Sequence, residues 1–168
     1  MFVAKVGCLG VAIILRHETM HRNEMVLEAY SLPELGDDEI RVKVAAASIN
    51  PVDWKIRQGK MKLMTGQTFP RGMGQDFSGS VEAVGRTVAR FAIGDAVLGG
   101  TPVKTSGAFA DTLITKESLA FAKPATLSHE DAATLPTAGT TAWTALVGKA
   151  ALKPGQSVFI NGAHGPVG

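Results

Sequence analysis

The sequence predicts a mainly β fold: a barrel-type module of short strands, then linking helices, then one further strand. Three observations support this prediction. Apolar runs of strand length are separated by glycine-containing turns as far as Pro124. Signals for helix starts follow Pro124. The segment Val158–Ile160 is again an apolar run of β type, and it leads into closely spaced glycines.

Seven segments before Pro124 have strand character. The clearest is Glu39–Ala46, in which Ile40, Val42 and Val44 alternate with charged residues, so that one face is buried and the other is solvated. Glycine and aspartate before it are typical of a turn. The predicted strands are Val11–Leu15, Met25–Tyr30, Glu39–Ala46, Ser80–Val84, Ala96–Leu98, Ala108–Ile114 and Leu119–Ala122.

The character of the chain changes after Pro124. Ser128 is a predicted helix N-cap, because an acidic residue follows it three positions later. A second helix is predicted over about residues 137–150. We therefore predict a β-domain over residues 1–124, in which residues 1–10 are an N-terminal extension. Residues 125–168 are predicted to hold the linking helices and the start of a second domain.

Composition excludes several classes of protein. The chain has 168 residues, 45% hydrophobic and 19% charged, which is typical of a compact globular domain rather than a disordered one. A formal net charge of +2 without a basic block gives no support for nucleic-acid or anionic-membrane binding. The single cysteine, Cys8, excludes an internal disulfide and a multi-cysteine zinc site. Residues 1–16 are too short to span a bilayer, so we expect a cytoplasmic protein.

The C-terminal glycines have the pattern of a phosphate-binding loop. In a dinucleotide-binding domain, the first strand leads through such glycines into a helix whose N-terminus faces a pyrophosphate. The predicted cofactor-binding residues of this loop are Gly162, Ala163, Gly165, Val167 and Gly168. The later strands and the residue that reads the ribose are missing from the sequence. We therefore expect this chain to be part of a longer parent, or an incomplete relative of one.

Six segments in order resemble the medium-chain dehydrogenase/reductase superfamily, and within it the zinc-independent quinone and enone reductases. The resemblance covers the chain from about Val11 to Gly168. It implies a GroES-like β-barrel-type module to about residue 124 and a truncated Rossmann domain after it. The segments are Asn50–Lys55, Gly74–Gly85, Gly94–Val97, Gly107–Ala110, residues 135–142 and the terminal glycine loop.

The resemblance also bears on metal binding. Zinc-dependent members of the superfamily have cysteine where this chain has Asn50, histidine where it has Gln75, and a further ligand near Thr137. Amide and hydroxyl groups are poor zinc ligands, so we predict no metal site. Gln75 and Asp76 are more readily explained as a polar pair hydrogen-bonded at the start of a strand than as substrate contacts.

Without zinc, the resemblance implies hydride transfer from NADPH, with NADH left open, to a quinone or an α,β-unsaturated carbonyl. The predicted catalytic residues are Lys55, which would polarise the acceptor carbonyl, and Asn50, which would contact nicotinamide or substrate. Thr141 would bond the nicotinamide carboxamide. The alternatives are a solvated surface lysine, an Asn-Pro turn and plain helix capping by threonine. We expect Asp53 to orient the Asn50 loop.

Other functions stay open at this point. His164 and Pro166 depart from the family's small residue and glycine, which favours a non-catalytic GroES-like binding or structural module. An enoyl reductase acting on carrier-bound chains has similar segments. RNA binding, a further activity within the family, is weakened by the near-neutral charge. The family's usual dimer interface lies in the Rossmann domain, so a homodimer is an expectation for the full-length parent alone.

Overall fold

The structure, a computed structural model, describes residues 3–4, 11–16, 25–66, 68–165 and 167. Nine strands and four α-helices lie in these ranges. The strands are β1 (Val3–Ala4), β2 (Val11–Leu15), β3 (Met25–Ala29), β4 (Glu39–Ser48), β5 (Arg71–Gly72), β6 (Asp76–Val84), β7 (Ala96–Gly100), β8 (Thr112–Lys116) and β9 (Ala120–Ala122). The helices are α1 (Pro51–Arg57), α2 (Lys62–Thr65), α3 (His129–Ala132) and α4 (Leu135–Trp143); a 3₁₀ turn spans Glu117–Leu119 and a π-helical segment spans Thr144–Lys149.

The strands form two antiparallel sheets. The larger has the order β1-β4-β6-β7-β9, with β8 also paired to β4, and the smaller has the order β3-β2-β5. They meet where the Ile13 N–H donates to the Phe109 carbonyl, 2.8 Å away, and where Ala12 pairs with Ala110. The expectation of a mainly β module is confirmed. The sheets are open rather than closed into a barrel, because within the described chain β9 pairs with β7 alone.

The core lies between the two sheets and α1. The predicted alternation in β4 is present, since Ile40, Val42 and Val44 are all buried. Phe77 of β6 and Leu15 of β2 are completely buried, so each sheet contributes its inner face to one cluster. Removing such side chains from water is the main favourable contribution to folding.

Several predicted elements differ from the structure. The strand expected at Ser80–Val84 starts at Asp76, and the one expected at Ala108–Ile114 covers Thr112–Lys116. The predicted second helix corresponds to α4 followed directly by the π-helical segment. Helix α1 was not predicted.

The predicted terminal strand is wrong. Val158–Ile160 has no strand structure, and the Phe159 side chain is 91% exposed. A strand is held by hydrogen bonds to a neighbour, and no described segment pairs with this one. The apolar run thus has β-type composition without a sheet to join.

Glycine at position 79 is required by the close approach of β6 to β4. A Cβ there would lie 2.0 Å from the carbonyl oxygen of Lys43. We expect Gly79→Ala to lower the free energy of unfolding by at least about 2 kcal/mol, because the strands must separate to admit the methyl group. Urea denaturation measures this change.

Gly139→Ala is the matched control. Gly139 lies within α4, and a Cβ there meets nothing within 4 Å. Alanine should raise the free energy of unfolding by about 0.5–1 kcal/mol, since it is the better helix former. Equal effects of the two substitutions would contradict the close-packing explanation.

Candidate active site

Asn50 lies where β4 ends and α1 begins. Pro51 is the first helical residue, where its missing N–H costs no intrahelical bond. Asp53, one turn into α1, accepts the Asn50 backbone N–H through Oδ2 at 2.7 Å. Asp53 thereby fixes the start of the helix, as expected. The local sequence forms a helix N-terminus rather than the simple Asn-Pro turn considered above.

The Asn50 side chain is buried and points to the first residue of β6. Its Nδ2 donates to the Asp76 Oδ2 at 3.0 Å and to the Ser48 Oγ at 3.1 Å. Asn50 is 4% exposed and Asp76 1% exposed. An amide in this position holds a carboxylate by hydrogen bonds.

Asp76 also binds the start of α4. Its Oδ2 accepts the Thr137 backbone N–H at 2.9 Å, and its Oδ1 accepts the Thr137 hydroxyl at 2.7 Å. The Thr137 N–H belongs to the first turn of α4, where backbone donors lack intrahelical partners. The residue at the N-cap position, Thr134, makes no side-chain cap. Asp76 therefore caps α4 from another part of the fold, and its negative charge suits the helix N-terminus.

Burial raises the pKa values of the two carboxyl groups in this region. It raises the pKa of Asp53 to about 6, opposed by the hydrogen bond from Asn50 and helped by the charge of Asp76. Burial likewise raises the pKa of Asp76, against the hydrogen bonds from Thr137, Asn50 and Ser48 that favour its ionised form.

Three residues that the resemblance places at or near zinc-ligand positions are engaged in hydrogen bonds. Asn50 and Thr137 both bind Asp76, whereas the Gln75 Nε2 donates to the Ser106 Oγ at 2.6 Å. Among the described residues, no group of three or more His, Cys, Asp or Glu side chains could hold a metal ion. The donor set does not fit zinc, since amides and hydroxyls replace thiolate and imidazole.

Lys55 lies on α1 and its side chain is exposed. Its ammonium nitrogen is 5.9 Å from the centre of the Trp54 ring, and that of Lys60 is 5.0 Å from the same centre. Asn50 thus faces the interior while Lys55 faces solvent. Both catalytic assignments stay predictions.

Thr141 lies within α4 and is exposed. Its hydroxyl donates to the Thr137 carbonyl at 2.6 Å, one helical turn earlier. Because α4 starts at Leu135, the threonines at 137, 140 and 141 lie inside the helix, and N-capping by any of them is wrong. The nicotinamide role of Thr141 stays a prediction.

The glycine loop forms an exposed turn. Gly162 has a φ of +83°, a backbone conformation that residues other than glycine rarely adopt. Its carbonyl accepts the Gly165 N–H at 2.9 Å. Ala163 and Val167 are exposed as well. Gly168 lies outside the described residues, as do Pro166 and the predicted extension apart from its residues 3–4.

One polar contact joins α3 to the core. The Ser78 hydroxyl donates to the Val97 carbonyl and lies 2.8 Å from the His129 Nδ1. Since the single hydroxyl proton goes to Val97, the Nδ1 of His129 carries a proton and donates to Ser78. Burial lowers the pKa of His129, with the nearby Lys123 acting in the same direction. The Ser78 hydroxyl therefore links β6 to both β7 and α3.

The sequence comparisons match this fold. The family model for the alcohol dehydrogenase GroES-like domain matches residues 36–125. A chloroplastic quinone-oxidoreductase homolog of Spinacia oleracea is 36% identical over 143 residues, which cover 82% of this chain and 44% of that protein. A 2-methylene-furan-3-one reductase of Solanum lycopersicum is 36% identical over 144 residues, covering 82% of this chain and 37% of that protein.

Solved structures have the same fold. An alcohol dehydrogenase superfamily protein from Novosphingobium aromaticivorans aligns with a TM-score of 0.85 and 33% identity, covering 94% of this chain and 47% of that one. The Escherichia coli quinone oxidoreductase, solved in complex with NADPH, aligns with a TM-score of 0.73 and 25% identity, covering 85% and 41%.

The fold thus defines a GroES-like domain. The chain belongs to the alcohol dehydrogenase GroES-like family, among the quinone oxidoreductase-like members of the medium-chain dehydrogenase/reductase superfamily. The resemblance seen in its motifs is confirmed. The chain spans less than half the length of the relatives described above. None of the described helices is long and apolar enough to cross a bilayer, and the cytoplasmic location stays a prediction.

The Thr137 hydroxyl should contribute measurably to stability. Thr137→Val leaves the buried Asp76 Oδ1 without this donor, so we expect a loss of about 1.5–3 kcal/mol in the free energy of unfolding. Thr141→Val removes a hydroxyl that bonds its own helix and should change stability by less than about 0.5 kcal/mol. Urea denaturation of both variants tests the difference, and equal losses would contradict the role of Asp76 as a cap.

Asp53 should make stability fall as pH rises. Its folded pKa of about 6 lies above its unfolded value. At pH values between these two pKa values, the folded state therefore binds more protons than the unfolded state. The free energy of unfolding of the wild type relative to Asp53→Asn should fall by about 3 kcal/mol between about pH 4 and pH 7.

Asp38→Asn is the control for this pH experiment. Asp38 is exposed, and its hydrogen bond from Lys116 lowers its pKa, so its contribution has the opposite sign. Denaturant titrations across pH measure both series. A wild-type to Asp53→Asn difference that stays constant with pH would count against a raised Asp53 pKa.

Proposed function

We propose that the protein carrying this chain is a zinc-independent, NADPH-dependent reductase of quinones or α,β-unsaturated carbonyls. The single observation that carries the proposal is the occupation of the metal-ligand positions by Asn50, Gln75 and Thr137, whose side chains are engaged in hydrogen bonds within the protein. A site without a Lewis acid suits acceptors that are already electrophilic. The names of the spinach and tomato relatives support this substrate class.

The glycine turn suits a nicotinamide dinucleotide. Gly162 has open space where a Cβ would lie, and its left-handed backbone favours glycine, so phosphate oxygens can approach the main chain. The residues proposed to hold the pyrophosphate are those predicted from the sequence: Gly162, Ala163, Gly165, Val167 and Gly168. The NADPH complex of the Escherichia coli relative supports this cofactor. Bound NADPH would supply the hydride.

The chain's own residues would then position the acceptor. Asn50 is held by Asp76 and Ser48, so its amide has a fixed orientation beside the start of α1. Thr141, one turn after the anchored Thr137, would bond the carboxamide. Lys55 is exposed and would donate to the acceptor oxygen as negative charge develops there. Proximity and this hydrogen bond are the proposed sources of acceleration.

Lys55→Met tests the proposed catalytic lysine. In a protein carrying this chain with a complete dinucleotide-binding domain, we expect kcat for NADPH oxidation by a quinone to fall by about 10²-fold, because one donor to the developing oxyanion is lost. The loss of NADPH absorbance measures the rate.

Lys60→Met is the matched control, since Lys60 also lies beside the Trp54 ring. Its kcat should stay at the wild-type value. Equal rates for Lys55→Met and Lys60→Met would remove Lys55 from the mechanism. Cofactor binding without turnover across a panel of quinones and enones would refute the reductase proposal as a whole.

A further inference from the structure

One stretch of the chain carries positive charge only. Residues 54–75 contain five of the 17 Lys and Arg residues and none of the 15 Asp and Glu residues. The formal net charge of +2, which gave no support for a membrane partner, is an average over the chain and conceals this segregation. The first part of the stretch, the basic lobe (residues 54–66), covers most of α1, all of α2 and the turn between them. It has a local cationic field that the rest of the chain lacks.

The tip of the basic lobe combines exposed charge with exposed apolar surface. Lys60 and Lys62 are exposed, and the next two residues are apolar. The Leu63 side chain is 101% exposed, so it packs against no other described residue, and Met64 is 60% exposed. Single exposed leucines are common, but two adjacent apolar side chains next to two lysines form a mixed patch. The Trp54 ring, 42% exposed, lies beside the Lys60 ammonium group.

The tip is held in place by a buried arginine. The Arg71 Nη2 donates to the Thr65 carbonyl at 2.8 Å, and its Nε donates to the Thr68 carbonyl at 3.2 Å. Arg71 is 7% exposed, so its charge serves the end of α2 rather than the surface. Leu63 and Met64 are therefore presented to solvent by a fixed backbone. A fixed arrangement of this kind lowers the entropy lost on binding.

We propose that the tip of the basic lobe docks on the surface of an anionic lipid bilayer. The two apolar side chains of α2 enter the boundary between headgroups and acyl chains, while Lys60 and Lys62 lie against the anionic headgroups. Trp54 has the amphipathic ring that is enriched at this depth. The docking is peripheral and reversible, since it combines a few charges with a small inserted surface.

Charge and apolarity together favour a bilayer over other anionic partners. Nucleic acid would satisfy the lysines, but its phosphates offer nothing to exposed aliphatic side chains. A bilayer satisfies both, because its headgroups attract cations and its interior accepts leucine and methionine. The proposal does not depend on hydride transfer and does not use Asn50 or Lys55.

Co-sedimentation of the chain with lipid vesicles tests the proposal. The chain should bind vesicles of phosphatidylcholine with phosphatidylserine, and it should lose most of this binding when phosphatidylserine is omitted. Added salt should also weaken binding, because it screens the attraction between lysines and headgroups. Absence of binding to the anionic vesicles at low salt, with or without binding to single-stranded RNA, would overturn the proposal.

Leu63→Gln tests the apolar part of the contact. Vesicle binding should fall about tenfold, because the inserted aliphatic surface is lost, while the fold is kept because this side chain packs against nothing. Leu27→Gln is the matched control, since Leu27 is 69% exposed on β3, outside the basic lobe. It should bind as the wild type does. Equal binding by the two leucine variants would overturn the proposal.

Lys60→Gln tests the charged part. Binding to the anionic vesicles should fall about fivefold, which corresponds to the loss of one lysine near the surface. Lys153→Gln is the control, since Lys153 is exposed beyond the π-helical segment, and it should bind like the wild type. Equal binding by the two lysine variants would contradict headgroup contact at the tip.

The protein carrying this chain with a complete dinucleotide-binding domain provides the last test. It should bind the same vesicles and show the same loss with Leu63→Gln. Loss of vesicle binding in the longer protein would show that the tip is covered there and would overturn the proposal. Reductase assays without vesicles are independent of both results, so failure of the docking proposal is distinguishable from failure of the proposed function.

Discussion

The buried carboxylate of Asp76 connects the β-structure to the helices that follow it. It lies at the first residue of β6 and accepts hydrogen bonds from the N-terminal regions of both α1 and α4. Burial alone would favour its protonated form, whereas the donors of Asn50 and Thr137 compensate the charge. The orientation of Asn50 and the position of α4 therefore depend on one side chain. The Asp76 carboxylate therefore sets the geometry of the groups at this junction.

The resemblance places the zinc ligands of metal-dependent relatives at or near these same positions. Thiolate and imidazole groups at these sites would bind a metal cation, whereas amide and hydroxyl groups donate hydrogen bonds to the Asp76 carboxylate. The proposed reductase chemistry rests on this difference, since an acceptor reduced without a metal must already be electrophilic. In that proposal, Asn50 would supply rigidity from the buried side, and Lys55 would supply charge from the solvent side.

Local patterns predicted much of the fold. Alternation identified β4, and Ser128 was correctly placed as the α3 N-cap, since its hydroxyl accepts the Asp131 N–H. Other features depended on distant partners. The early start of β6 at Asp76 requires pairing with Ser48, and Val158–Ile160 has no pairing strand among the described residues. The α1 start was readable from Asn50, Pro51 and an acid at the third helical position. The link from Asp76 to Thr137 was not, because it spans 61 residues of sequence.

The contact between Ser78 and His129 has a practical consequence. Because Ser78 gives its proton to Val97, the imidazole is held as the Nδ1–H tautomer, the less common form for a free histidine side chain in water. Nitrogen chemical shifts differ between the two tautomers. The ring of His129 is therefore a built-in spectroscopic reporter of whether α3 is docked on β6.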